Sequence, residues 1–292
     1  MINSPAQSYA ESIQYINTLQ ALDDETVNPE CGTRLLTHGD KTARAIVLLH
    51  GYTNNPRQYR ILAEQFFQRG YNVFIPRFPG HGLKDRMTDT LQHQTETNLL
   101  AFTNDVMDMA QGLGDQITVL GFSMGGVLAL WLAQQRADIV VVCAVSPALA
   151  FHAIPLKQTS VIIKYFLLAP NQFNWWDPEM KDAPAPPLHA YPRYATRGLA
   201  HIVNIGLKVR SQSRRSQPKA GSTLLILNPT DESVNNAYAH EIAANWNARG
   251  YKNLRIYEFD AKYNLIHDLI EPDQPKQQID VVYPILLDLI AN

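Results

Sequence analysis

One hexapeptide in this chain sets a hydroxyl nucleophile between glycines: Gly121-Phe122-Ser123-Met124-Gly125-Gly126. It follows the apolar run Gln116-Ile117-Thr118-Val119-Leu120 and opens a stretch from Met124 to Gln135 that reads as an amphipathic helix. A Gly-x-Ser-x-Gly string at a strand-to-helix junction forms a nucleophile elbow. The tight turn lifts the serine hydroxyl clear of the sheet and sets it at a helix N-terminus, where developing negative charge is favoured. Gly121 and Gly125 lack side chains because the backbone passes close to its neighbours there. The string alone occurs by chance; the strand before it and the helix after it give it weight. The plainer alternative is a serine that caps the helix.

A serine is a poor nucleophile without a base. If chain order runs nucleophile, acid, base, the base is a histidine beyond the last strands. His267 fits, in Asn264-Leu265-Ile266-His267-Asp268, eight residues after the last predicted strand residue, Phe259. Its alternative is an ordinary loop histidine. His240, the other late histidine, falls in a helical stretch and reads as a surface residue. The orienting carboxylate should follow a strand between Ser123 and His267. Leu224-Leu225-Ile226-Leu227-Asn228-Pro229-Thr230-Asp231 supplies Asp231 in a polar turn. Asp260 after the next strand and the adjacent Glu232 compete, and a turn aspartate that caps the next helix is compatible with either role.

Charge that develops on a substrate oxygen needs two backbone N–H donors. One is expected from Met124, the residue after the nucleophile. The other is expected from the loop His50-Gly51-Tyr52-Thr53, with the main chain of Tyr52 as donor. His50 precedes the nucleophile in the chain and is expected to order that loop rather than act as base.

These residues need a scaffold, and the chain alternates strand-like and helix-like segments. Strands are predicted at 45–50, 71–78, 116–121, 139–145, 222–227 and 254–259, with short ones near 32–37 and 42–44. Helices are predicted at 57–69, 94–111, 124–135, 235–247 and 279–290. Continuous apolar runs mark strands buried on both faces, and the alternation implies parallel βα units joined by right-handed crossovers. The rhythm breaks between Ser146 and Pro218, in a stretch of about 70 residues, too long for a plain connection. With apolar pieces around Val161–Leu168 and the pair Trp175-Trp176, it reads as a helical insertion on the sheet. Such side chains must bury against something. Phe166 and Trp176 are therefore expected to contact substrate.

The 292 residues carry 25 Lys+Arg and 27 Asp+Glu, a net charge of −2, with 46% hydrophobic residues, so disordered and collagen-like chains are excluded. Near-neutral charge argues against a nucleic-acid partner. The basic group Arg210, Arg214 and Arg215 is read as a solvated loop. Cys31 and Cys143 show no metal-ligand spacing, so no disulfide framework or zinc site is indicated. The first 20 residues do not read as a signal peptide, and no apolar run approaches the roughly 20 residues of a bilayer span. A cytoplasmic protein is the expectation. Trp131 and Trp246 fit core or interface, so oligomeric state stays open.

His50-Gly51-Tyr52-Thr53, Phe78-Pro79-Gly80-His81-Gly82, Gly121-Phe122-Ser123-Met124-Gly125-Gly126, Asp231 followed by Val234, and His267 occur in register. Together they resemble the α/β-hydrolase superfamily, in its branch of bacterial carboxylesterases and monoacylglycerol lipases (serine aminopeptidase-like). The resemblance covers roughly residues 43–147 and 219–291. It implies an α/β fold with a mostly parallel eight-stranded sheet and a helical lid after the sixth strand. Residues 1–40 would be an extension packed on the core, 41–147 and 219–292 the core, and 148–218 the lid. It further implies a Ser123–Asp231–His267 triad acting on a small acyl ester, with no metal or organic cofactor. The insertion and the N-terminal 40 residues depart from the pattern. Three function classes stay open: an ester hydrolase; another enzyme on the same triad, such as an acyltransferase, peptidase, thioesterase or carbon–carbon hydrolase; and a non-catalytic receptor.

Overall fold

A computed structural model describes residues 4–182 and 184–291; the expectations for residues 1–3, 183 and 292 lie outside the described residues. The chain begins with α1 (Tyr9–Gln20), β1 (Arg34–Leu36), β2 (Thr42–Leu49), α2 (Arg60–Phe67), β3 (Tyr71–Ile75) and α3 (Glu96–Ala110). Next come β4 (Gly114–Phe122), α4 (Met124–Gln135), β5 (Val141–Val145), α5 (Thr159–Leu168), β6 (Phe173–Trp175), β7 (Arg193–Ala195) and α6 (Thr196–Ser213). It closes with β8 (Ser222–Leu227), α7 (Ala237–Ala248), β9 (Leu254–Glu258) and α8 (Ile279–Ala291).

Seven strands form the central sheet in the order β1-β3-β2-β4-β5-β8-β9. All neighbours are parallel except β1, which pairs antiparallel with β3. The expected eighth strand is absent among the described residues, for a definite reason. Residues 42–44 do not form a strand of their own. Thr42 and Arg44 oppose Gly114 and Gln116 in the register that continues to Leu49 opposite Gly121, so the segment is the start of β2.

Alternate side chains of each strand enter two cores. Val47, Val119 and Leu225 face α1, α3, α4, α6 and α7, whereas Leu48, Leu120 and Ile226 face α2 and α8. Full burial of each such side chain contributes about 1.5–3 kcal/mol. Helix α4 departs from the sequence reading. Most of its residues are buried, because β4, β5 and α6 enclose it; it is not amphipathic. Trp246 is fully buried core, and Trp131 packs against the same core.

The insertion is not purely helical: β6 and β7 pair antiparallel beside α5 and α6. Helix α6 runs back onto the sheet layer, where Gln134 Nε2 donates to the Val209 carbonyl at 2.9 Å. Arg210 belongs to this helix rather than to a solvated loop. It stacks on the Tyr238 ring at 4.1 Å, and with Arg214 it grips Glu241 at 2.7 and 2.6 Å. At the N-terminal end, α1 packs on α3, fastened where Ala6 N–H donates to the Asp108 carbonyl at 2.9 Å. No helix among the described residues is long and apolar enough to cross a membrane.

The topology sets the position of the site. Parallel strands end on one edge of a sheet, where open α/β sheets form their crevices. The loops after β2, β4, β8 and β9 therefore share one edge and carry Tyr52, Ser123, Asp231 and His267 in turn.

Candidate active site

Ser123 joins β4 to α4 with φ 52° and ψ −108°, in the left-handed half of backbone space. Such a non-glycine residue costs on the order of 1–3 kcal/mol. Three hydrogen bonds hold it. Its N–H donates to Val145 O at 3.0 Å, and its carbonyl accepts from Val127 and Ala148 N–H, both at 3.1 Å. Both flanking glycines are required sterically. A Cβ on Gly121 would lie 1.9 Å from Gly125 O, and one on Gly125 would lie 2.0 Å from Leu49 O.

His267 arrives on the loop after β9. Asn264, in left-handed conformation, turns this loop. Asn228 Nδ2 then fastens it by donating to Leu265 O at 2.9 Å and Ile266 O at 3.2 Å. Asn228 lies three residues before Asp231, so one side chain sets the Asp231 turn against the His267 loop. His267 Nδ1 lies 2.6 Å from Asp231 Oδ2, and Nε2 lies 3.0 Å from Ser123 Oγ. The other oxygen of Asp231 accepts from Ser233 and Val234 N–H, each at 2.9 Å. Both oxygens of the carboxylate are thus engaged.

Burial would raise the Asp231 carboxyl, but the His267 charge and hydrogen bond, with the two backbone donors, outweigh it and hold Asp231 below the ordinary aspartate range. Burial would likewise lower His267; the charge and hydrogen bond of Asp231 and the nearby Asp268 overcome it and leave the imidazole above its ordinary value. The competitors lie elsewhere. Asp260 caps the turn at Ala261–Tyr263 and pairs with Lys262 at 2.8 Å. His240 pairs with Glu258 at 2.9 Å on the surface. Glu232 lines the cavity while its neighbour Asp231 holds the imidazole.

Tyr52 and Met124 both border the cavity above Ser123. Met124 is the first residue of α4, so its N–H is one of those without an intrahelical acceptor. The peptide that carries the Tyr52 N–H is held through its carbonyl. The Gly51 carbonyl lies 2.9 Å from His50 Nδ1 and accepts from Asn54 N–H at 3.2 Å. His50 Nε2 accepts from Phe78 N–H at 3.2 Å, which leaves the ring proton on Nδ1 to donate to Gly51. Burial and the neighbouring His81 push the His50 pKa well down, so the ring stays neutral. The Gly51–Tyr52 peptide is trans, so locking its carbonyl also locks the opposed N–H.

The insertion grips the same loop. Thr53 has φ 66°. Its carbonyl accepts from Tyr191 N–H at 2.8 Å, and its hydroxyl accepts from Trp176 Nε1–H at 2.8 Å. Trp176 also lines the cavity, which measures about 800 Å³. Phe166 does not. It packs with Ile163, Ala200 and Val203 in a small cluster between α5 and α6, because α5 turns that face away from the sheet edge.

A polar group behind the site escaped sequence reasoning. Asn54, Gln58, Asp268, Glu271 and His189 form a connected set of hydrogen bonds. Asp268 adjoins His267 in the sequence, which was a usable signal; nothing in the local pattern marks Gln58 or His189. Ligand atoms of His189, Glu271 and Asp273 lie within 4.8 Å of one another, the one grouping of metal-ligand type among the described residues. Arg60 and Arg57 take the oxygens of Asp273 at 2.6 and 3.4 Å, so two guanidinium cations already balance the charge of that carboxylate.

The sequence pattern described as "Alpha/beta hydrolase family" matches residues 46–274. The chain belongs to that family. Among relatives of this α/β-hydrolase, the thermostable monoacylglycerol lipase of Bacillus sp. (strain H-257) is 32% identical over 120 residues, 39% of this chain and 44% of the relative. The carboxylesterase of Bacillus subtilis (strain 168) is 33% identical over 95 residues, 32% of this chain and 36% of the relative. The matches span less than half the length of these curated relatives. The crystal structure of Paleococcus ferrophilus monoacylglycerol lipase shares the fold with a TM-score of 0.65, at 16% identity over 89% of this chain and 97% of that one.

The electrostatics give a spectroscopic expectation. In an NMR pH titration, His267 should titrate above the ordinary histidine value of about 6.5. Asp231→Asn removes the anion that favours the imidazolium, so the midpoint should fall. A midpoint unmoved by that substitution would contradict the contact.

Proposed function

We propose that this chain is a serine hydrolase of carboxylic esters, with Ser123 as nucleophile, His267 as general base and Asp231 as orienting acid. One observation carries the reading: the continuous line from Asp231 Oδ2 to His267 at 2.6 Å and on to Ser123 Oγ at 3.0 Å, set on a strained elbow. The names of the relatives, a lipase and a carboxylesterase, support ester hydrolysis as the reaction.

In the proposed reaction, Ser123 Oγ forms a bond to the acyl carbon while its proton passes to His267 Nε2. The carbonyl electron pair moves onto oxygen, where the amides of Tyr52 and Met124 stabilise it. Asp231 holds the imidazole in the Nδ1–H tautomer and stabilises the imidazolium. Collapse expels the alcohol, which takes its proton from His267. Water, deprotonated by the same histidine, then releases the acid and restores Ser123. These steps use side chains and backbone of this chain alone.

Within this reading the insertion 148–218 acts as a cap. Phe151, Trp176, Met180, Tyr191, Leu199 and Ile202 supply apolar cavity wall, and Thr53, Asn54, Gln58 and Arg86 supply polar wall, an arrangement that suits a small acyl ester. Cys31 and Cys143 are buried free thiols, the state that a reducing cytoplasm maintains.

Ser123→Ala should cost on the order of 10⁴–10⁶ in kcat on a panel of acyl esters and abolish fluorophosphonate labelling, with cooperative melting retained. Activity within tenfold of wild type would sink the reading, and faster turnover of amides or thioesters in the same panel would redirect it. The cap has its own test. Each buried methylene is worth about 0.8 kcal/mol, near fourfold in kcat/KM. Trp176→Ala should change the slope of kcat/KM against acyl length, whereas Phe166→Ala, off the cavity wall, should leave it unchanged. Equal slopes in both variants and wild type would remove the cap from substrate selection.

A further inference from the structure

The loops that carry the base and the Tyr52 amide start from distant strands. Between β2 and β9 stand β4, β5 and β8. At about 4.8 Å per step the two strands lie roughly 19 Å apart, so the sheet does not by itself bring their loops into register. Side chains make the connection above the sheet edge. Gln58 Nε2–H donates to both oxygens of Asp268, at 2.9 and 3.1 Å. Gln58 Oε1 accepts from Gly51 N–H at 2.9 Å. Alongside, Asn54 Nδ2–H donates to Glu271 Oε2 at 3.0 Å. Gln58 and Glu271 are fully buried. Asp268 is the residue after His267, and Gly51 is the residue before Tyr52. The connection therefore runs from the neighbour of the base to the neighbour of the oxyanion donor through one planar amide.

Resting on the hydrolase reading above, we propose that Asp268 is a positioning residue: through Gln58 it holds the His267 loop in register with the Tyr52 amide. Gly51 is then fixed on both sides, its N–H by Gln58 and its carbonyl by His50 and Asn54. Sub-ångström placement of base and oxyanion donors governs the chemical step far more than ground-state binding. Asp268 also acts on the base by charge. The titratable groups around it are Glu271, His267, Tyr59 and Tyr283, with Arg60, Asp273 and His189 behind Glu271. Burial and the Glu271 charge push Asp268 up to about 7, and its ionised form favours the His267 imidazolium.

Contact and charge can be separated by substitution. Asp268→Asn keeps an oxygen for Gln58 and removes the charge. It should hold the plateau kcat within about threefold and move the acid limb of the pH–rate profile slightly to lower pH, because the imidazolium loses the partly ionised Asp268 carboxylate. Asp268→Ala loses the contact and should lower kcat about 10²-fold with KM little changed. Gln58→Ala removes the contact from the other side and should give the same loss, and the double alanine variant should be no worse than either single. If Asp268→Ala does not fold, Gln58→Ala alone decides. Alanine variants at wild-type kcat, an asparagine variant that fails to rescue kcat, or losses confined to KM would overturn the proposal. Ser123→Ala belongs in the same series. If it stays active, the hydrolase reading fails; if it is dead while Gln58→Ala and Asp268→Ala match wild type, only the positioning role fails.

Discussion

Two backbone crossings leave no room for a β-carbon, and the geometry of the site depends on them. Gly121 meets Gly125 O, and Gly125 meets Leu49 O, at distances that any side chain would violate. These approaches let α4 leave β4 in a turn tight enough to hold Ser123 at positive φ. The cost of that conformation is offset by three hydrogen bonds: β5 accepts the Ser123 N–H through Val145, and Val127 of α4 and Ala148 of the loop after β5 donate to its carbonyl. Burial of α4 on nearly all sides follows from the same closeness. A helix pressed against β2, β4 and β5 and covered by α6 has little polar face left to expose.

The second constraint is electrostatic. Asp231 is almost wholly buried, and an unpaired carboxylate there would take up a proton. Two backbone donors on one oxygen and the imidazole on the other keep it ionised, and its charge raises His267 in return. Asn228 ties the turn of Asp231 to the loop of His267, so the pair is set by the backbone as well as by attraction. On the side of Tyr52 the neutral ring of His50 fixes the Gly51 carbonyl, and the insertion adds Tyr191 and Trp176 against Thr53. The residues of the proposed reaction thus come from four strand ends, with the insertion bracing one of the four loops.

Local pattern made much of this legible. Apolar runs located β4, β5, β8 and β9 within a few residues, and the glycine spacing located Ser123. Chain order then selected Asp231 over Asp260 and His267 over His240, and the hydrogen bonds join the selected pair. What local pattern could not carry was partnership at long range. Whether 42–44 stood alone or began β2 depended on Gly114 and Gln116, about 70 residues away in sequence. The helix after Ser123 reads as amphipathic beside its strand, yet Val127 to Ala133 is an unbroken apolar run, the local mark of a helix enclosed on all sides. Phe166 and Trp176 looked alike as insertion aromatics expected to contact substrate, yet one packs between two helices and the other reaches Thr53. Arg210 looked like a loop cation until Glu241 and Tyr238 came beside it. The link through Gln58 joins residues 51, 58 and 268, and no spacing rule connects them.

The proposed reaction requires Ser123 to become transiently acylated through the His267–Asp231 line. The direct test is rapid acid quench of the protein during turnover of an activated acyl ester, followed by mass spectrometry of the intact chain and its peptides. The expected result is one acyl group per chain, located on the peptide that contains Ser123 and absent in a His267→Ala variant. Turnover with no acylated species, or an acyl group on any other residue, would contradict it.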